Sequence, residues 1–353
     1  MKPHKLERGD KVAIVSLSRG LLGMSFCKHE LELGLKRLKS FDLEPIIMPN
    51  ALKDIDYIKD HPEARAQDLK DAFLNKDIKA VFCAIGGDDT YKTIPYLMED
   101  QEFINAVRDN LKIFLGFSDS TNNHLMFNKL GLSTFYGQSF LQDIAELDNE
   151  MLPYSKYYFE RLFFIDEPYE ITSSKIWYLD RDSYGPEQLG KPRVVKEEKH
   201  GYEVLNGEGV VDGKLYGGCL DSFYDIFTGE RYGDENIIYE RYNILPTLDE
   251  WKEKILFLET SEEKMSPEKL EETLNIFRNK GILESIKGLI VGKPVDEVYY
   301  EEYKEIYKKV FSDLKTPIIY NVNFGHSYPK AILPYDSQCT INISLKTIKI
   351  CNF

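Results

Sequence analysis

The chain has 353 residues, enough for two domains each with a core of its own. Its hydrophobic fraction of 42% and charged fraction of 29% are those of an ordinary globular protein. A formal net charge of −14 argues against nucleic acid or an anionic membrane as the main partner, because both reward basic surface.

The N-terminus, MKPHKLERGDKVAIVSLSRG, carries charge followed by a short apolar run that ends in Ser and Arg, with no small-residue cleavage site. It reads as a first β-strand, not a signal peptide. No apolar stretch approaches the ~20 residues that span a bilayer. The five cysteines, Cys27, Cys83, Cys219, Cys339 and Cys351, are odd in number, dispersed and without CxxC spacing. That disfavours structural zinc and a disulfide framework and points to a reduced, cytoplasmic protein.

The first half alternates strand and helix. KVAIVSLS, EPIIMPN, AVFCAIGG, KIFLGF and LSTFYG read as strands. Between them CKHELELGLKRLKSF, PEARAQDLKDAFLNKDI, TYKTIPYLMEDQEFINAVRDN and STNNHLMFNKLG read as helices. Continuous apolar strands separated by amphipathic helices predict a parallel sheet covered on both faces. From Glu167 to about Asp212 the text turns polar and aromatic, as for a linker and an irregular or β-rich insertion. The second half rebuilds the alternation with KILFLE, SPEKLEETLNIFRNKGI, KGLIVG, EEYKEIYKKVFSDL and PIIYNVNFG. The tail TINISLKTIKICNF alternates and reads as two strands. The expected division is an N-terminal α/β domain over 1–166, a linker over 167–185 and a C-terminal domain over 186–353.

In parallel α/β sheets, ligands gather at the carboxyl ends of strands. Ser118 lies there after KIFLGF, Gly86, Gly87, Asp88 and Asp89 after AVFCAI, Glu259 at the close of KILFLE, and His326 after PIIYNVNFG. A nucleophile on a strand-to-helix corner needs small neighbours two before and two after it, and Gly116 and Ser120 meet that need. Helix amides starting at Asp119, and those of the Gly86–Gly87 turn, are candidate oxyanion donors. An N-capping serine satisfies the same pattern at Ser118, and a plain tight turn satisfies it at the glycines. Of six histidines, His326 stands beside a glycine and before a Pro-marked loop, whereas His124 lies about 240° around the helix from Ser118 at ~100° per residue. Glu259 ends an apolar run, where a charge is costly without a partner. Cys83, inside a strand, reads as packing rather than as a rival nucleophile.

AIGGDDTYKTIPYL, FLGFSDSTNNHLMF, YGGCLDSF, LFLETSEE and NFGHSYPKAILP, in that order, resemble the serine peptidases of the LD-carboxypeptidase and microcin C immunity protein (MccF) family. The resemblance implies a Ser–Glu–His triad of Ser118, Glu259 and His326, with backbone amides of Asp119 and Gly87 as oxyanion donors and Asp88 beside the substrate. It also implies an N-terminal flavodoxin-like or amidotransferase-like parallel-sheet domain, a C-terminal β-rich α/β domain and a homodimer. No metal or cofactor is implied; the partner is a small molecule or short peptide. The length of the chain and Trp177 in EITSSKIWYLDR resemble the MccF-like branch, which cleaves an acyl–N bond to a nucleotide-like group; an indole face suits stacking on a nucleobase. The other branch trims D-alanine from murein tetrapeptides, and a non-catalytic two-lobed ligand-binding protein is the alternative outside enzymes. Asp336 stands where the family usually has glycine, and Gln138 where it usually has proline.

Overall fold

A computed structural model describes residues 1–352. The chain divides into two compact units, one of Met1–Ile165 with Arg181–Arg193 and the other of Asp166–Asp180 with Val194–Phe353. Chain segments therefore pass from one unit to the other three times. Of the segment read as a linker, residues 167–180 fall in the second unit and 181–185 in the first.

The first unit is built on β1 (Lys11–Val15), α1 (Lys28–Ser40), β2 (Glu44–Ile47), α2 (Pro62–Leu74), β3 (Ile78–Cys83), α3 (Gln101–Asp109), β4 (Ile113–Gly116), α4 (Thr121–Lys129) and β5 (Phe135–Tyr136). Its strands run parallel in the order β5–β4–β3–β1–β2. That is the flavodoxin-like order, whose ligand crevice opens where β1 and β3 diverge. The helices start and face as their sequences dictate. Pro62 opens α2, and the Asp100 side chain caps α3 by accepting from the Phe103 amide at 3.0 Å. Phe103, Ala106 and Val107 put the apolar stripe of α3 inward. Phe73, Phe103, Phe114 and Phe127 then pack ring on ring, with Phe114 and Phe127 centroids 4.8 Å apart.

The second unit contains β6 (Tyr169–Ile171), β7 (Ile176–Tyr178), β8 (Val195–Glu197), β9 (Glu203–Asn206), β10 (Val210–Cys219), α5 (Leu220–Thr228), β11 (Lys254–Glu259), α6 (Pro267–Asn279), β12 (Gly288–Gly292), α7 (Tyr300–Val310), β13 (Ile318–Val322), β14 (Gln338–Asn342) and β15 (Thr347–Asn352). Its main sheet runs β6–β15–β14–β10–β11–β12–β13–β9. The central strands β10 to β13 are parallel and the flanks antiparallel, and the two strands expected from the tail, β14 and β15, pair as a hairpin. Residues 167–178 do not act as free linker because β6 pairs with β15 and β7 with β8. In β10 and β11 the register aligns Cys219 with Glu259, which brings both strands to their ends at one place.

Candidate active site

The corner after β4 is tight in every direction. Ser118 has φ 65, a left-handed conformation that a serine adopts only when its surroundings impose it. A Cβ on Gly86 would lie 2.6 Å from the Ser118 Cβ, and one on Gly116 would lie 2.9 Å from the Cys83 sulfur and from the Ser120 hydroxyl oxygen. Small residues at 86, 116 and 120 are therefore what the corner requires. The residues in the N-cap positions of the short turn and of α4 are Phe117 and Ser120, so Ser118 is not the capping serine. Its amide donates to the buried Tyr136 hydroxyl at 3.2 Å.

Around this corner Asp119 ties the neighbouring loops together. Its carboxylate accepts from the Ser18 hydroxyl and, at 2.9 Å, from the Thr90 amide. Burial pushes its pKa up, to about 6, against those hydrogen bonds. The Ser18 hydroxyl also lies 2.9 Å from the Asp88 carbonyl, so its single proton is shared between the Asp119 carboxylate and the turn after β3. Within that turn Gly87 is exposed with φ 128, a backbone conformation open to glycine alone. Next to it Asp89, φ 58, is held by buried Arg65 at 2.7 Å and by Lys92 at 2.8 Å.

His124 lies beneath the corner. Its Nε2 is 3.0 Å from the Gly116 carbonyl, which only accepts, so Nε2 carries the proton and Nδ1 accepts from Thr134 at 2.7 Å. Burial lowers its pKa to about 3 and keeps it neutral. Cys83 is equally buried and its thiol is pushed up to about 12, so it is not a thiolate.

In the second unit Glu259 and His326 meet. They lie 67 residues apart in sequence, and one carboxylate oxygen of Glu259 accepts both the His326 Nδ1–H at 2.7 Å and the His326 amide at 3.1 Å. Both side chains are nearly excluded from solvent, 1% and 6% exposed by residue. The loop can wrap the carboxylate only because residue 325 is glycine. Its φ is 83, and a Cβ there would sit 2.4 Å from the Glu259 side chain. Burial pulls the imidazole pKa down, but the charges and hydrogen bonds of Glu259 and, after it, Glu262 together outweigh it and the net shift is upward. Cys219 Sγ lies within 4.8 Å of the Glu259 and His326 polar atoms. Burial, with Glu259 and Asp221 nearby, holds this thiol protonated, so it packs as a neutral group.

Two residues of this unit, Glu262 and Lys293, were not anticipated from the sequence. Glu262 reaches Nε2 of His326 at 3.0 Å with a side chain 55% exposed. Trp177 is only 6% exposed, and the ammonium of Lys293 lies over its ring at 4.8 Å. Lys293 is in turn buried between Glu198 at 3.0 Å and Glu297 at 2.6 Å. Asp336 takes φ 57 and pairs with Lys254 at 3.0 Å. In the first unit, Gln138 is buried and donates to the Ser155 carbonyl at 2.7 Å.

Residues 12–137 match the model of the LD-carboxypeptidase N-terminal domain, and residues 212–341 that of the LD-carboxypeptidase C-terminal domain. The chain belongs to the LD-carboxypeptidase family. It is accordingly a serine-type hydrolase, and its homologues include a protein of Bacillus subtilis named as a probable murein peptide carboxypeptidase and a microcin self-immunity protein. The microcin C7 self-immunity protein MccF of Escherichia coli is 23% identical over 81% of this chain and 77% of its own length. An MccF-like protein from Streptococcus pneumoniae, solved in complex with AMP, is 46% identical, with a TM-score of 0.91 over 96% of this chain and 98% of that one. MccF in complex with glutamyl sulfamoyl guanosine shares the fold at 22% identity, with a TM-score of 0.80 over 99% of this chain and 98% of that one. No helix among the described residues is long and apolar enough to cross a membrane.

Proposed function

We propose that this LD-carboxypeptidase family member hydrolyses an acyl–N bond with a Ser118–Glu259–His326 triad, and that its substrates are aminoacyl or peptidyl groups joined to a nucleotide-like moiety. The observation that carries the chemistry is the buried Glu259–His326 pair, in which one carboxylate oxygen fixes both the backbone and the ring of the histidine. That arrangement leaves Nε2 as the only ring nitrogen able to take a proton from a nucleophile. Ser118, on its strained corner, is the nucleophile of this reading. Asp119 and Gly87 supply amides to the oxyanion, with Asp88 beside the substrate. The serine attacks the scissile carbonyl, the imidazole passes the serine proton to the leaving nitrogen, and water releases the acyl-enzyme.

The nucleotide preference is supported by the AMP complex of the 46% identical neighbour. Trimming of a murein tetrapeptide is the second reading, favoured by the family match itself. Purified protein assayed in parallel on an aminoacyl sulfamoyl-adenylate and a murein tetrapeptide tests the choice. Turnover of the nucleotide compound is expected, and turnover of the tetrapeptide alone would replace this reading with the second. Ser118→Ala and His326→Ala should each lose ~10³-fold or more in kcat, and the double variant little more, because members of a triad act as a unit.

A further inference from the structure

Glu262 occupies the second unit's most consequential position outside the proposed triad. It lies in the turn that follows β11, where the Lys264 amide donates to the Ser261 carbonyl at 3.1 Å. Both ends of the turn are fastened. The Ser261 amide donates to Asp221 at 3.0 Å, and the Lys264 ammonium pairs with Asp296 at 2.9 Å. The backbone is thus held while the Glu262 side chain, 55% exposed, projects onto His326 with an oxygen 3.0 Å from Nε2.

The consequence is one of donors and acceptors. An ionised carboxylate only accepts hydrogen bonds. Nδ1 faces Glu259 at 2.7 Å and Nε2 faces Glu262 at 3.0 Å, so the ring satisfies both only when both nitrogens carry protons. An imidazolium has no lone pair for a serine proton. We propose that Glu262 is a displaceable positioning residue, which clamps His326 in its charged form in the ligand-free enzyme and leaves Nε2 when substrate binds.

The other groups around the ring do not reverse this. Cys219 at the end of β10 is held protonated, and Tyr303 and Tyr307 on α7 are kept neutral by burial. Asp221 on α5 lies near Cys219 and adds negative charge. Lys330, whose ammonium lies 4.2 Å over the Tyr328 ring, stabilises the Glu262 carboxylate. Burial lowers the histidine pKa, while Glu259 and then Glu262 raise it. Glu262 itself is held low, to about 2, first by its hydrogen bond to His326, so it stays ionised at working pH.

This inference rests on His326 being the base, and its test separates the two. The ring nitrogens of His326 are followed through a pH titration by NMR in full-length, histidine-labelled Ser118→Ala protein, assigned with His326→Gln. The same is done with Glu262→Gln and with Glu263→Gln as control. Removing the Glu262 charge should lower the proton affinity of His326 about ten-fold or more, and Glu263→Gln should not. With the serine intact, the acid limb of kcat/KM should move to lower pH in Glu262→Gln while the limb of kcat moves less, because kcat/KM reports the free enzyme and kcat the complex. An unchanged His326 titration in Glu262→Gln overturns the clamp even if Ser118→Ala abolishes hydrolysis. Conversely, full activity in Ser118→Ala overturns the triad while the titration still decides the clamp.

Discussion

Glu259 gives both lone pairs of one oxygen to His326, so the two residues act as a single rigid piece. An amide in its place would offer a donor as well as an acceptor. Glu259→Gln should therefore favour an imidazole whose Nε2 carries the proton, the wrong tautomer for a base, and kcat should fall by ~10³- to 10⁴-fold. Steady-state kinetics on the preferred substrate check this. Trp177 behaves differently at this scale. Its ring is buried against a lysine held between two glutamates, so Trp177→Ala should cost about 3–5 kcal/mol of stability, read from urea unfolding. Loss of turnover on both substrates alike would assign Trp177 to packing; selective loss on the nucleotide compound would support stacking. Glu259 was legible because an apolar run stops at a charge. Glu262 was not, because exposed carboxylates after a strand are common and only the folded loop brings this one to a histidine.

The strand-to-helix corner was readable from its small residues, and the folded chain adds why they are small. The neighbours of Gly86 and Gly116 are Ser118, Cys83 and Ser120, so an alanine at either glycine meets atoms with no room to retreat. Gly325 is the same device in the second unit, and Gly325→Ala combines a disfavoured φ with a collision against the Glu259 carboxylate. Its kcat should fall toward that of His326→Ala, and the change should register as a shifted ring signal for His326 in NMR. The alternation of strands and helices was equally plain, because period and length separate the two. The short strands β6 to β9 were not. They are three or four residues each and owe their form to partners far along the chain.

Over the whole chain, stability should depend on pH through two histidines with opposite signs. His124 has a depressed pKa in the fold, so its contribution is complete above the unfolded value, ~6.5, and is lost as pH falls toward about 3. His326 has a raised one, so its contribution is complete below ~6.5 and is lost as pH rises through the higher folded value. Denaturant titrations of wild type and His124→Gln should converge in acid, and those of wild type and Glu262→Gln should converge in alkali. The excursion Arg181–Arg193 was invisible in the sequence because it depends on Glu146, 35 and 47 residues from its two ends. Both arginines close on that one buried carboxylate, Arg193 at 2.6 Å. A single acid is thus the clasp of a closed ring of chain. Closing a loop of about a dozen residues costs roughly 2 kcal/mol of entropy, which the clasp must exceed for the ring to stay shut. Glu146→Gln should open it at both ends at once. Trypsin should then cut after Arg181 and Arg193, whose side chains the clasp holds, while the rest of the chain still resists, so that one carboxylate decides whether this stretch is substrate for a protease.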